Sequence, residues 1–315
     1  MSKRRSPFLK AFLPLFLLFG LLVLPALSEG AVRYVKPGGT GDGTGSWDAA
    51  SEDLAAVLEG AVSGDEIWVA AGTYRPHATS RDVSFTLEDG VALYGGFAGT
   101  EAERSQRDPA ANVTILTGDL ASNDHFIPTT GYSGLTGNDN SYHVVYAPVG
   151  VTETAVLDGF TVTGGNADGS AGELISNGGG MHNAGGSPTV RGCTFTANYA
   201  RYGGAMYSNN GSLTVTDCTF SNNVANFCGG GMYNAGGSPT VRRCTFSANS
   251  ADGTGDGGGM YNNNSALTVT GCTFSGNTAR SVGGGMTNVN GTPTVTDCTF
   301  SGNTALGGGG MRNSG

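Results

Sequence analysis

Apolar and polar residues alternate with a period of two through the second half of the chain, in short runs broken by turns. Leu213-Thr-Val215-Thr and Leu267-Thr-Val269-Thr show it, as do the recurring Cys-Thr-Phe and Met-Tyr-Asn. With abundant β-branched residues, this alternation predicts half-buried strands of about three to five residues. The runs also repeat. Met181, Met206, Met232, Met260, Met286 and Met311 lie 25, 26, 28, 26 and 25 residues apart, each preceded by Gly-Gly-Gly or Gly-Gly-Ala. Cys-Thr-Phe-x-x-Asn begins 12 residues after the first five of these, at Cys193, Cys218, Cys244, Cys272 and Cys298. Length varies only between each Cys and the next Met, which predicts a fixed block of strands closed by one tolerant loop. Turn clusters such as Asn183-Ala-Gly-Gly-Ser-Pro188 and Asn209-Asn-Gly-Ser212 divide each copy into three short strands. One copy cannot bury its apolar face alone, whereas stacked copies can. The pattern therefore predicts an all-β parallel solenoid, its coils about 4.8 Å apart.

Stacking turns every repeat position into a ladder. The Met, Cys, Val (190, 215, 241, 269, 295), Phe (195, 220, 246, 274, 300) and Asn (198, 223, 249, 277, 303) columns are expected inside, with the Asn amides bonding coil to coil at a bend. Five of the six cysteines share one column, where parallel Cβ vectors disfavour a bridge, so they are expected as buried thiols. Cys228, in a variable segment, is expected to be the most exposed. The spacings of zinc sites are absent, and no metal is expected.

The residue after each Met is expected to face outward, giving His182, Tyr207, Tyr233, Tyr261, Thr287 and Arg312. His182, the three tyrosines and Arg312 form the candidate ligand-binding strip, suited to stacking on a sugar ring or a protein partner. An aromatic ladder also stabilises strands without any ligand. The Thr column (194, 219, 245, 273, 299) reads as a solvated face, and Asp217 beside Arg243 as an exposed ion pair. Asp217 and Asp297, three coils or about 14 Å apart, are too distant for paired glycosidase carboxylates, which sit about 5–9.5 Å apart.

The first half is less regular. Lys3, Arg4 and Arg5, the apolar run from Ala11 to Leu27, and the small residues Ala26, Ser28 and Gly30 predict a signal peptide over residues 1–30. The product is then expected to be secreted or at the cell surface, with no membrane span once the leader is cleaved. Residues 31–157 are expected as a cap and irregular coils, and 158–315 as regular repeats. Ser51 is expected to cap a helix bearing Leu54, Val57, Leu58, Ala61 and Val62 that covers the first coil. The chemically dense stretch holds Asp119, Asp124, His125, Asp139, His143 and Asp158. Carboxylates with imidazoles could bind Ca²⁺ or support acid–base chemistry, which makes this the alternative, enzymatic site.

Composition narrows the reading. The 55 glycines follow no three-residue period, which excludes collagen, and 38% hydrophobic with only 13% charged residues fits a packed core better than disorder. Sixteen Lys+Arg against 25 Asp+Glu give a net charge of −9, so nucleic acid is not expected as a partner.

Phe195-Thr-Ala-Asn198 and its four equivalents resemble the FxxN repeats of polymorphic outer-membrane proteins, and Gly203-Gly-Ala-Met206 resembles their GGA[ILV] partner. Gly64-Asp-Glu-Ile-Trp-Val-Ala-Ala-Gly-Thr-Tyr74 resembles the first coil of secreted right-handed β-helix proteins of the pectate-lyase-like group, and Leu93-Tyr-Gly-Gly-Phe97 and Val156-Leu-Asp-Gly-Phe-Thr-Val162 extend the likeness. The resemblance implies a right-handed, single-stranded parallel β-helix. It implies either a structural or adhesive surface scaffold for an extracellular glycan or surface protein, or a polysaccharide lyase or glycoside hydrolase. It further implies coils beyond Gly315, and with the last coil uncovered, end-to-end self-association is expected.

Overall fold

A computed structural model describes residues 30–124, 139–170 and 174–315. Apart from Gly30, the expected signal peptide lies outside the described residues, as does His125. The chain winds as a right-handed parallel β-helix with three long sheets. The Val sheet has nine strands, beginning Val32–Val35, Glu66–Ala70, Ala92–Phe97 and Val156–Asp158 and continuing through Thr189–Arg191 to Thr294–Thr296. The Phe sheet has eight, from Gly72–Tyr74 to Thr299–Ser301, and the Met sheet has eight, from Phe85–Thr86 to Met311–Ser314. Each repeat adds one strand to each sheet, paired in parallel with its equivalent a coil away. Val215 sits beside Val241, Phe220 beside Phe246 and Met206 beside Met232, so the ladders read from the sequence are the observed register.

The three strands per coil are joined by a fourth, short one. Asn166–Ala167, Tyr199–Tyr202, Val224–Cys228, Ser250–Ala251 and Thr278–Ala279 form a five-stranded lateral sheet within the segment that varies in length. In each regular copy this strand starts directly after the ladder Asn. The extra residues of each copy come after the paired start, as the register shift between Ala200 and Tyr202 shows.

The interior is filled by the predicted columns. Met181 to Met286, Val190 to Val269 and Phe195 to Phe274 are fully buried, and Cys193 to Cys272 nearly so. Burial of one such large apolar side chain stabilises by about 1.5–3 kcal/mol. The Phe rings stack at centroid separations of 5.1, 4.6, 4.7 and 4.8 Å. All six cysteines are free. The thiols of the column donate to carbonyls two residues back, as from Cys218 to Thr216 O at 3.2 Å. Cys228 is half-buried, and so is Cys298, so Cys228 is not distinguished by exposure.

At the amino-terminal end, the helix is Leu54–Glu59, with Leu54, Val57 and Leu58 buried in the main core. Its cap is Asp53 rather than Ser51. The Asp53 carboxylate accepts from Ala56 N at 3.0 Å, while Ser51 Oγ accepts from Asp53 N. Gly60 ends the helix, which leaves Val62 beyond it and 48% exposed. A second apolar cluster covers the outer face of the Val sheet here. Trp68 stacks on Phe97 at 4.8 Å, and Trp47 packs on Tyr34 at 5.0 Å and donates to Glu101 O. This cluster carries the loop that follows Phe97 over the sheet.

Candidate functional site

The strip after the Met column is continuous but not uniformly exposed. Pairing places Tyr146, His182, Tyr207, Tyr233 and Tyr261 in one ladder, with successive ring centroids 5.8, 5.4, 5.2 and 4.9 Å apart. The tyrosines are tilted by only 19° and 21° from one to the next, so they spend their faces on each other and present edges outward. Burial pushes all three phenols up, that of Tyr261 to about 12.

The expected exposure of His182 and Thr287 is corrected by the structure. Both are 1% exposed, because the preceding variable segment folds over them. His182 Nδ1 bonds the Asn177 carbonyl at 3.1 Å, and Thr287 Oγ1 donates to Val282 O at 3.1 Å. Arg312 is exposed in the last strand.

Sequence reasoning missed a second aromatic row, on the lateral sheet. Tyr202 stacks on Phe227 at 5.4 Å and meets Tyr233 edge-on at 5.4 Å, and the Arg201 guanidinium lies 4.4 Å over the Phe227 ring. Tyr202 and Phe227 fall in the variable segments, where no repeat signal marks them. Together with the ladder they make a half-exposed aromatic seam between two sheets.

The Asp/His set does not converge. Asp119 caps its own loop, its carboxylate accepting from Asn123 N and Asp124 N at 3.1 and 3.3 Å. Asp124 accepts from Asn140 Nδ2 at 2.7 Å, and both oxygens of Asp139 are buried without a hydrogen-bond partner among the described residues. His143 belongs elsewhere, 4.9 Å from His182, with Nδ1 on the Gly178 carbonyl at 3.0 Å. Burial and then its neighbour His182 push His143 down to about 3. Burial lowers His182 too, against the pull of the Asn177 and Leu174 carbonyls. Asp158 stands on the outer face of the Val sheet. Among the described residues, no three His, Cys, Asp or Glu side chains cluster so as to hold a metal ion.

Asp158 is the hub of a polar group on this face. Arg107 Nη2 reaches its Oδ1 at 2.7 Å and Arg191 Nε its Oδ2 at 2.5 Å, and the carboxylate is 7% exposed. The guanidinium carbons of Arg104, Arg107 and Arg191 lie 4.6, 5.2 and 5.9 Å from the Tyr94 ring centroid. Arg104 also pairs with Glu66 and donates to the Tyr94 hydroxyl at 3.0 Å. Register sets Arg191, Thr216 and Arg242 in one outward column above Asp158. Only Asp158 of this group was singled out from sequence. The legible signal was Thr-Val-Arg at 189–191 and 240–242, where the other copies read Thr-Val-Thr.

The profile of the right-handed β-helix region family matches residues 140–305. The chain belongs to this family. Among solved structures, this β-helix is similar to pectate lyase Pel9A at 15% identity and a TM-score of 0.46, over 86% of this chain and 71% of that one. A rhamnogalacturonan lyase gives 15% and 0.44, over 91% and 62%. Escherichia coli YbhC gives 13% and 0.38, over 91% and 76%. Comparison with curated proteins finds no match.

Proposed function

We propose that the chain is an exported β-helix that serves as a non-catalytic binding scaffold, its aromatic seam taking an extracellular glycan or a surface protein. The observation that carries this reading is the seam itself. Rings from two sheets, Tyr202 and Phe227 beside Tyr207, Tyr233 and Tyr261, line up along the axis at coil spacing and remain half-exposed. Aromatic edges and hydroxyls on a rigid sheet offer contact area at little cost in conformational entropy. The outer row is the place to test it, because the inner rings also support each other. A Tyr202→Ser/Phe227→Ser variant is expected to keep its thermal midpoint within a few degrees and to lose retention on a glycan or cell-surface protein array. Retention of every ligand bound by the wild type would reject the seam.

A catalytic reading has one observation in its favour, the carboxylate of Asp158 with Arg107 and Arg191 where the irregular coils meet the regular repeats. Both of its oxygens are held by guanidinium groups, which suits an anchor better than a proton carrier. Incubation with acidic and neutral glycans, with and without Ca²⁺, is expected to release no reducing or unsaturated ends. Release that disappears in Asp158→Ala would overturn the scaffold reading.

A further inference from the structure

We infer that the outer face of the Val sheet is a second binding surface, separate from the aromatic seam, which takes a chain bearing oxyanions and lying along the solenoid axis. The chain as a whole carries −9, yet arginines collect on this face. Arg104, Arg107, Arg191 and Arg242 stand on it against Glu66 and Asp158, with Glu103 at the rim. Arg243 at the neighbouring turn is neutralised by Asp217, both nitrogen-to-oxygen contacts being 2.7 Å.

The arginines are organised rather than scattered. Asp158, more than nine-tenths buried, fixes Arg107 and Arg191 through one oxygen each, and Tyr94 lies against three guanidinium groups. That leaves Arg104 and Arg191 with side chains 44% and 43% exposed. Arg104 engages Glu66 and Tyr94 through Nη1, and Arg191 engages Asp158 through Nε and also meets Tyr94, so these contacts leave part of each five-donor guanidinium unused. Arg104 and Arg107 also line a shallow depression of about 610 Å³ with Glu66, Glu103, Ser105 and Pro109. Arg242 is exposed and makes no salt bridge among the described residues.

Spacing selects the shape of the ligand. Arg191 and Arg242 share a column two coils apart, about 9.6 Å, and the Thr216 hydroxyl column lies between them. Each half-exposed arginine is screened and contributes little alone, so a single small anion gains little here. A chain that meets Arg104, Arg191 and Arg242 in turn sums their contributions. The planar forks favour carboxylate or sulfate groups, which accept two parallel hydrogen bonds.

Three polymers of one backbone separate the sources of charge: dextran, carboxymethyl-dextran and dextran sulfate. The full chain is expected to bind one or both charged forms, more weakly as salt rises, and to ignore neutral dextran. Arg191→Gln/Arg242→Gln is expected to weaken that binding about tenfold and Arg242→Gln alone about threefold, while Arg280→Gln, which removes one charge from the loop after the lateral sheet, leaves it nearly unchanged. Equal loss in Arg242→Gln and Arg280→Gln would reduce the effect to net charge and overturn the proposal, as would no binding of either charged polymer. Arg242→Gln alone touches no folded partner and keeps the test intact if the double variant fails to fold. Product release from glycans bears on the scaffold reading only, and loss of charged-dextran binding bears on this face only.

Discussion

Each regular coil passes through the left-handed region at several corners, two of which flank the Cys-Thr-Phe strand. One precedes the ladder Cys (Gly192, Asp217, Arg243, Gly271, Asp297, with φ of +57°, +55°, +50°, +63° and +53°), and the other precedes the ladder Asn. At the second corner Ala248 has φ +53° and Gly276 +62°, and a Cβ on Gly276 would meet nothing within 4 Å. The pair isolates the backbone term. Gly276→Ala is expected to cost about 1 kcal/mol and Ala248→Gly to gain about 0.5 kcal/mol, as urea midpoints would report, since glycine relieves the αL penalty but gains chain entropy on unfolding. An unchanged midpoint in Gly276→Ala would remove the corner argument. The ladder Asn beside it is a larger effect. Asn249 Nδ2 donates to Phe220 O and Asn277 Oδ1, both at 2.9 Å, and its Oδ1 accepts from the backbone and side-chain nitrogens of Asn223 at 3.1 and 2.9 Å. Asn249→Ala strands these groups at no exposure and is expected to cost about 4 kcal/mol in equilibrium denaturation. A loss under about 1 kcal/mol would mean that water replaces the amide.

At the scale of elements, the three main strands were legible because their side-chain period of two survives in every copy. The lateral strand was not, because Tyr199–Tyr202 and Val224–Cys228 pair with each other but share little sequence. That strand and the loop after it explain the burial of His182: periodicity put the ring on the outer side of the strand and could not show that Leu174 to Asn177 would cover it. The consequence is a pair of neutral imidazoles, His143 and His182, 7% and 1% exposed. Their pH dependence has a definite sign. In the unfolded chain His143 takes a proton near its ordinary 6.5, whereas in the fold it does so only near 3. Stability is therefore complete above pH 6.5 and falls as pH drops toward 3, by about 2 kcal/mol at pH 5 for His143, with His182 adding in the same direction. Urea denaturation at pH 7 and pH 5 is expected to show this loss, and His143→Gln to reduce it by about 2 kcal/mol. An identical pH 7 to pH 5 difference in His143→Gln would show that the imidazole is solvated in the folded state.

At the scale of the molecule, net charge and fold pulled in different directions. A total of −9 argued against nucleic acid as a partner, and the fold then gathered four arginines from residues 104 to 242 onto one face, which no sum over the sequence can show. Repetition, in contrast, was fully legible, and it makes the solenoid modular in a testable way. Each coil contacts its neighbours through the same columns, so stability is nearly a sum over coils. Deleting residues 207–232 joins Met206 to Tyr233 and removes one full repeat of 26 residues while every column keeps its residue type. The shortened chain is expected to unfold cooperatively, with a smaller denaturant slope and a stability lower by about 1–4 kcal/mol. Deleting the 13 residues 207–219 instead would follow Met206 with Phe220, set a Phe strand against the Met sheet and throw all later columns out of register. That variant is expected not to fold. Equal behaviour of the two deletions would mean that register between coils, and with it both surface ladders, is not what fixes this structure.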